Sequence, residues 1–386
     1  MDVSAGPLTV SFAGLRLRSP IIAASAPPTE SAKAIVACAR AGVGAVVTKS
    51  IVNYNRGDWP DIPRRVHRDR RGLWIQGSFA SETLTVAEGV AIARGARDAT
   101  DIPIIASIGV LDPTDDSAIE TALRLVEVGA NMVHFDLFYL PQPRSSNEAI
   151  EALRSLFRRA RNALPVPFGP KLNTDIPVYR FTTAFAPDEF DSLFVLDSIR
   201  VPPPLKPDGT AEIDAWRGGL ECSLFGDWQK PVTLQYTRTL AEAGMPSICS
   251  GGGFRSAEDI LEAIMLGATS TQVATQLIVQ GYDWVRRTND HLMKLLDEHQ
   301  LGNIRDIMGL ALATRDREAP EHVIPVRAVV DDNKCKPCGV CTKLVFCSFI
   351  SEKPSGTPLI DNACYGCGLC EIYCPQDGAI RMVPMT

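Results

Sequence analysis

Eight of the eleven cysteines in this 386-residue chain fall within its last 52 residues, in two runs. The first run is Cys335, Cys338, Cys341 and Cys347; the second is Cys364, Cys367, Cys370 and Cys374, closed by Pro375. The second has the spacing C-x2-C-x2-C-x3-C-P, which presents three thiolates from one short loop and sends the fourth to a neighbouring cluster. Two such runs in series predict two iron–sulfur clusters and a chain that passes single electrons. Cross-ligation predicts Cys335, Cys338, Cys341 and Cys374 on one cluster, and Cys364, Cys367, Cys370 and Cys347 on the other. The first run departs from the common pattern, because five residues separate Cys341 from Cys347 and Ser348 stands where the proline would be. Zinc is the rival ligand, but its cysteine pairs are usually separated by a dozen or more residues. A disulfide framework is not expected, since no secretory leader is legible. Cys38, Cys222 and Cys249 read as small core or loop residues.

Hydrophobic residues make up 45% of the chain and charged residues 22%, the balance of an ordinary globular protein, and the length is that of two or three domains. A net charge of −6 argues against a nucleic-acid surface, and no apolar run reaches the ~18–20 residues of a membrane helix. With iron–sulfur ligation, this points to the cytoplasm. The basic run Arg64, Arg65, Arg68, Arg70 and Arg71 reads as a solvated loop face, with an anionic substrate or partner as the alternative.

Upstream of the cysteines one theme repeats eight times: a short apolar run, then an amphipathic stretch. The runs are Ile21–Ser25, Ala45–Ser50, Ile104–Ile108, Met132–Leu137, Phe168–Leu172, Leu193–Ser198, Pro246–Ser250 and Thr271–Thr275. Between them lie helix signals. Asp115–Val128 stops at Gly129; Asn147–Ala163 carries a stripe of Ile150, Leu153, Leu156 and Phe157; Ser256 with Asp259 resembles a capping box, and Gly267 ends that helix. Strand–helix alternation of this kind predicts an α/β fold, a (β/α)8 TIM barrel over residues 1–326, followed by a cysteine-rich domain over 327–386. Residues 315–327 read as the linker, and Leu8–Leu17 as a hairpin on the barrel floor. Three connections are long (51–103, 138–167 and 199–245, the last with three prolines, Trp216 and Trp228), and each is a candidate lid.

In such barrels the chemistry sits where strands end. Ser25, Lys49, Asp136, Lys171, Asp197, Ser250 and Thr275 stand at those ends. Gly251, Gly252 and Gly253 after the seventh strand and Ala274-Thr275 after the eighth predict a phosphate site, because glycine lets backbone amides approach an anion. Lys49 and Lys171 would be costly inside a barrel unless they meet a charge, which the N1–O2 edge of a reduced flavin would provide.

With these residues placed, the chain resembles the flavin and iron–sulfur half of dihydropyrimidine dehydrogenase, within the dihydroorotate dehydrogenase superfamily. The carrying segments are 44–50, 105–108, 126–131, 170–172, Lys230-Pro231, 250–254, 266–281 and both cysteine runs. The resemblance implies FMN, held by Ala24, Ser25, Thr48, Lys49, Lys171, Ser198, the Ser223–Gly226 loop, Gly251 to Gly253, Ala274 and Thr275. It also implies two [4Fe–4S] clusters in a ferredoxin-like domain, relaying electrons to FMN. It further implies an electron donor, either an NAD(P)H-oxidising flavoprotein subunit or a soluble ferredoxin, and a homodimer or larger assembly.

The substrate positions break the family pattern. The loop after strand four reads Asp136-Leu-Phe-Tyr-Leu-Pro-Gln142 and lacks the family's proton-donating cysteine, leaving Tyr139 or Leu140 at its place. Asp136, Asp197-Ser198 and Gln76-Gly77-Ser78 stand where asparagine-bearing segments are expected, and Asp175 lies near another. An asparagine amide donates and accepts; an ionised carboxylate only accepts, a poor match to uracil and repulsive to orotate. Gln76, Asp136, Tyr139 and Asp197 are therefore candidate substrate contacts for a ligand bearing donors. Tyr139 is the first candidate acid, with lid packing as its other reading; Asp136 is second; His134, Ser145 and Ser146 follow. Three functions stay open: reduction of a conjugated C=C or C=N bond in a small, cyclic, non-pyrimidine substrate; pyrimidine reduction with altered contacts; or an electron-transfer subunit serving a partner enzyme.

Overall fold

The eight apolar runs form eight parallel strands in a computed structural model: β1 (Ile21–Ala23), β2 (Ala45–Val47), β3 (Ile104–Gly109), β4 (Met132–Asp136), β5 (Phe168–Lys171), β6 (Leu193–Val195), β7 (Ile248–Gly251) and β8 (Ser270–Val273). The structure describes residues 6–385 except 59–63, 71, 77, 78, 142, 144, 214–221, 314–324, 345 and 346. Each strand pairs in parallel with the next, β8 pairs with β1, and the ring closes. These strands are buried along their whole length, as a sheet covered on both faces requires.

Helices fill the outer layer, with the predicted stops and the predicted capping box in place and a further cap at Ser146. The helix Ser117–Glu127 is followed by Gly129 at φ +103°, Asn147–Ala163 starts on a Ser146 cap, and Ser256 and Asp259 form a complete capping box. Gly267 follows that last helix at φ +98°. The opening segment is the predicted hairpin, Val10–Phe12 against Leu15–Leu17, turning at Ala13 and Gly14 with φ +48° and +81°. Phe12 is fully buried edge-on to Phe194 of β6, at 5.4 Å between ring centroids, so the hairpin plugs the barrel floor.

The basic run is a strand instead of a loop face. Arg65–Asp69 pairs antiparallel with Gly72–Gln76, and the sheet continues through Cys222–Phe225 to Ile199–Val201. Two of the long connections thus join in a four-stranded sheet. Its own small core contains Trp74, Ile213, Cys222 and Leu224. Arg71, Gly77, Ser78 and Trp216 lie outside the described residues. Cys38, Cys222 and Cys249 are buried, and burial pushes their thiols up to about 12, 11 and 12, so all three are inert packing groups.

The chain divides into two compact units, residues 1–315 and 316–386. In the second, Val326–Val330 pairs antiparallel with Ile380–Pro384, and Ile350–Glu352 with Pro358–Ile360. No helix among the described residues is long and apolar enough to cross a membrane.

Candidate active site

The C-terminal ends of the barrel strands surround a mouth with about 1150 Å³ of space free of atoms, open solvent included. Strand register builds its floor. Gly109 of β3 pairs with Asp136 of β4, and Asp136 with Lys171 of β5, so one layer holds a carboxylate and an ammonium side by side. Lys171 Nζ lies 2.7 Å from Asp197 Oδ2 just beyond β6. Burial disfavours the Lys171 charge, but Asp197 and Asp136 outweigh it and hold its pKa above the ordinary lysine value. Burial works against the Asp197 charge too; the Lys171 ammonium prevails and keeps that carboxyl below the usual range. Asp136 is pushed the other way by burial, with Lys171 opposing. It accepts from Ser50 Oγ at 2.9 Å and from the Phe138 N–H at 3.2 Å.

The sequence predicts two lysines that wait for an outside charge; the fold supplies each with a carboxylate. Lys49 Nζ lies 3.5 Å from Glu82 Oε2. Arg64 completes this second group, with Nη2 2.8 Å from Glu30 Oε2 and Nε 3.3 Å from Glu82 Oε1. Glu30 and Glu82 carry no local motif, which is why sequence reasoning misses them as site residues, whereas Arg64 belongs to the basic run for which an anionic ligand is the alternative reading.

Ala24, Ser25, Lys49, Asp136, Tyr139, Lys171, Asp197, Ser198, Ser223, Gly226, Gly252, Gly253, Ala274 and Thr275 all line the mouth. The four-stranded sheet adds Ile75 and Phe225. Three expected site residues stand behind the lining. Thr48 is buried and accepts from the Ser107 N–H, Gly251 is a strand residue whose carbonyl accepts from Leu196, and Gln76 is buried at the end of its strand. His134 is also displaced from the chemistry: it is fully buried 4.6 Å from Phe194, with no hydrogen bond on either ring nitrogen, and burial keeps it neutral.

Tyr139 extends from the turn after β4, its phenol held by the Ser50 hydroxyl. Burial and the Asp136 carboxylate raise its pKa well above that of a free phenol. Gly109 makes room for its ring: a Cβ there would lie 2.6 Å from Val52 Cγ2 and 2.9 Å from Tyr139 Cδ2. Gly109→Ala is therefore expected to cost ~1–3 kcal/mol by overpacking, read as a lower urea midpoint with an unchanged slope.

The opposite wall suits a flavin nucleotide. Gly252 and Gly253 turn with φ +109° and +88°, and among the described residues no acceptor is found for the N–H groups of Gly253 and Thr275. Two such amides at one end of the mouth suit a phosphate. Gln272, 3% exposed, donates to the Val195 carbonyl at 3.3 Å, while its Oε1 has no partner and would accept from a ring N–H.

In the second unit, Cys335, Cys338, Cys341 and Cys374 line one cavity, and Cys347, Cys364, Cys367 and Cys370 line another. Four thiols line each of these two voids.

The family model described as dihydroorotate dehydrogenase matches residues 145–296. The catalytic subunit of dihydroorotate dehydrogenase B (NAD(+)) from Thermoplasma acidophilum is 24% identical over 309 residues, covering 79% of this chain and 99% of the relative. The same-named subunit from Methanocaldococcus jannaschii is 22% identical, covering 79% and 98%. The NAD-dependent dihydropyrimidine dehydrogenase subunit PreA of Escherichia coli K12 is 23% identical over 351 residues, covering 86% and 84%. Closed barrel, strand-end mouth and these matches agree: the chain is an oxidoreductase similar to the dihydroorotate dehydrogenase superfamily.

Proposed function

We propose that this chain is an FMN and iron–sulfur oxidoreductase that reduces a conjugated C=C or C=N bond of a small, cyclic, non-pyrimidine compound. The observation that carries this reading is the single mouth lined by the unpartnered amides of Gly253 and Thr275 and by the Lys171–Asp197–Asp136 group. FMN bound there would supply hydride to an electron-poor carbon, and two [4Fe–4S] clusters in a ferredoxin-like second unit would supply single electrons.

The chain's own residues do the rest. Gly252, Gly253, Ala274 and Thr275 would seat the phosphate; Ala24, Ser25, Lys49, Lys171, Ser198, Ser223, Gly226 and Gln272 would border the ring system. Lys171 places an ammonium at the buried end of the mouth, and Asp197, hydrogen-bonded to the Ser198 N–H at 2.6 Å, fixes its direction. Tyr139 holds a proton until an acceptor arrives, because its raised pKa keeps the phenol neutral. The cations lining the mouth, Lys49, Arg64 and Lys171, all have carboxylate partners, so an orotate-like anion finds no free charge. That favours a neutral substrate. The electron donor is an NAD(P)H-oxidising flavoprotein subunit or a ferredoxin, and the working assembly is a homodimer or larger.

The test is a screen of enones and N-heterocycles for reoxidation of dithionite-reduced enzyme under argon. Reoxidation by a neutral cyclic compound is the expected result; a colourless protein after anaerobic reconstitution would end this reading. Tyr139→Phe is expected to slow that reoxidation ~10²-fold or more with flavin content unchanged; an unchanged rate removes Tyr139 as the acid. The alignment with PreA favours a second reading, pyrimidine reduction, and a uracil titration that perturbs the flavin spectrum would select it.

A further inference from the structure

We propose that Arg200 is a positioning residue: from the sheet over the mouth it grips Phe138 by both backbone and ring, and so fixes the turn that carries Tyr139. Giving Tyr139 the proton transfer rests on the reading above; the grip itself is a property of the fold.

Register decides which way Arg200 faces. Ile199–Val201 pairs antiparallel with Cys222–Phe225 so that Arg200 stands opposite Ser223, and Ser223 stands opposite Ile75 on the next strand. Side chains alternate between the two faces of a sheet. Trp74, Cys222 and Leu224 form the small core on one face, with Val201 packed against them. Arg200, Ser223, Phe225 and Ile75 therefore share the other face, and the last three line the mouth.

Two contacts join Arg200 to the turn after β4. Its Nη2 donates to the Phe138 carbonyl at 2.8 Å, and its guanidinium carbon lies over the Phe138 ring, 4.1 Å from the centroid. A charged donor makes a stronger hydrogen bond than a neutral one, and a cation within ~6 Å of a ring face is drawn to it. The Phe138 N–H is held separately, by the Asp136 carboxylate at 3.2 Å. The barrel thus holds one backbone group of Phe138 and the sheet the other. Tyr139 is the next residue, its ring edge-on to Phe138 at 5.5 Å between centroids. Both belong to the short 3-10 turn Leu137–Tyr139. A turn this short has little regular hydrogen bonding of its own, so it takes its shape from what it is tied to. Arginine suits the task better than lysine: a planar guanidinium can lie against a ring and still donate at its rim, whereas an ammonium is a point charge. Arg200 acts through Tyr139, so removing it costs no more than removing the phenol.

The experiment uses the holoprotein labelled with 13C at tyrosine Cζ. Its seven tyrosines give resonances among which Tyr139 is identified by its loss in Tyr139→Phe. Arg200→Ala is expected to move that resonance and to let the phenol ionise at lower pH than in the wild type. The reason is that a loosened turn readmits water to a group whose pKa burial holds up. Arg200→Lys is expected to give part of the change. The second measurement is reoxidation of the dithionite-reduced enzyme by a compound found in the screen. Arg200→Ala is expected to slow it ~10-fold at saturating compound with KM little changed. The double variant Arg200→Ala/Tyr139→Phe is expected to be no slower than Tyr139→Phe alone, because residues that act as a unit are not additive. A Tyr139 resonance unmoved in both Arg200 variants, or losses that multiply in the double variant, overturns the assignment of Arg200. Should Arg200→Ala not fold, the resonance in Arg200→Lys decides. A moved resonance in a protein whose Tyr139→Phe variant reacts as fast as the wild type upholds the grip and removes Tyr139 as the acid.

Discussion

Lys171→Ala is expected to unfold more readily and to resist flavin reduction while keeping its cluster absorbance. The substitution leaves Asp197 and Asp136 facing one another in a buried layer with their common cation gone. Removing one partner of a buried ion pair typically costs ~3–5 kcal/mol, because the remaining charge has no compensation. The pH dependence follows from the sign of the shifts. In the wild type, Lys171 holds Asp197 below the carboxylate range, so that contribution to stability is present at neutral pH and is lost as pH falls through the folded value. In the variant, both carboxylates have folded pKa values above their unfolded ones. The folded state then binds more protons than the unfolded state, and stability declines as pH rises. The gap in melting temperature between variant and wild type should widen from pH 5 to pH 8. A constant gap would mean that Lys171 acts by packing alone. Reduction is weakened for a related reason: without the Lys171 ammonium the two carboxylates leave the buried end of the mouth more negative, which disfavours an electron-rich flavin.

The second large effect concerns the cysteines. Cys374→Ser is expected to remove the centre built on Cys335, Cys338 and Cys341, and Cys347→Ser the centre built on Cys364, Cys367 and Cys370. Each single variant should lose about half of the iron and acid-labile sulfide, because the proposed ligation has the runs exchange their fourth ligands. The two cavities group the thiols in this crossed arrangement, including Cys347, whose spacing departs from the common pattern. Iron and sulfide analysis after anaerobic reconstitution, with electron paramagnetic resonance of the reduced protein, checks the assignment. Retention of both centres in Cys347→Ser would exclude Cys347 as a ligand.

Much of the fold is legible in the sequence because its signals are local. A buried parallel strand is a short apolar run, and each of the eight such runs became a barrel strand. The cap at Ser256 and the stops at Gly129 and Gly267 act within one helical turn, so a few adjacent residues suffice to place them. The strand ends of the barrel converge by geometry, and fourteen expected site residues duly line one mouth.

What escaped is what depends on pairing across the chain. The sheet over the mouth joins residues 65–76 to residues 199–225, so neither half looks like more than a charged or irregular loop alone. Tertiary folding likewise decided which carboxylate meets which lysine. Asp136 looks like a substrate contact in sequence, yet Ser50, 86 residues away, takes one of its oxygens and the Phe138 N–H the other. The physical reason is that secondary structure answers to neighbours a few positions apart, whereas the charge state and accessibility of a buried group depend on the net field of everything around it. The sequence alone determined the eight strands, the glycine turn and the thiol runs. Only the closed barrel decided which charges neutralise one another and which acceptors are left for a ligand.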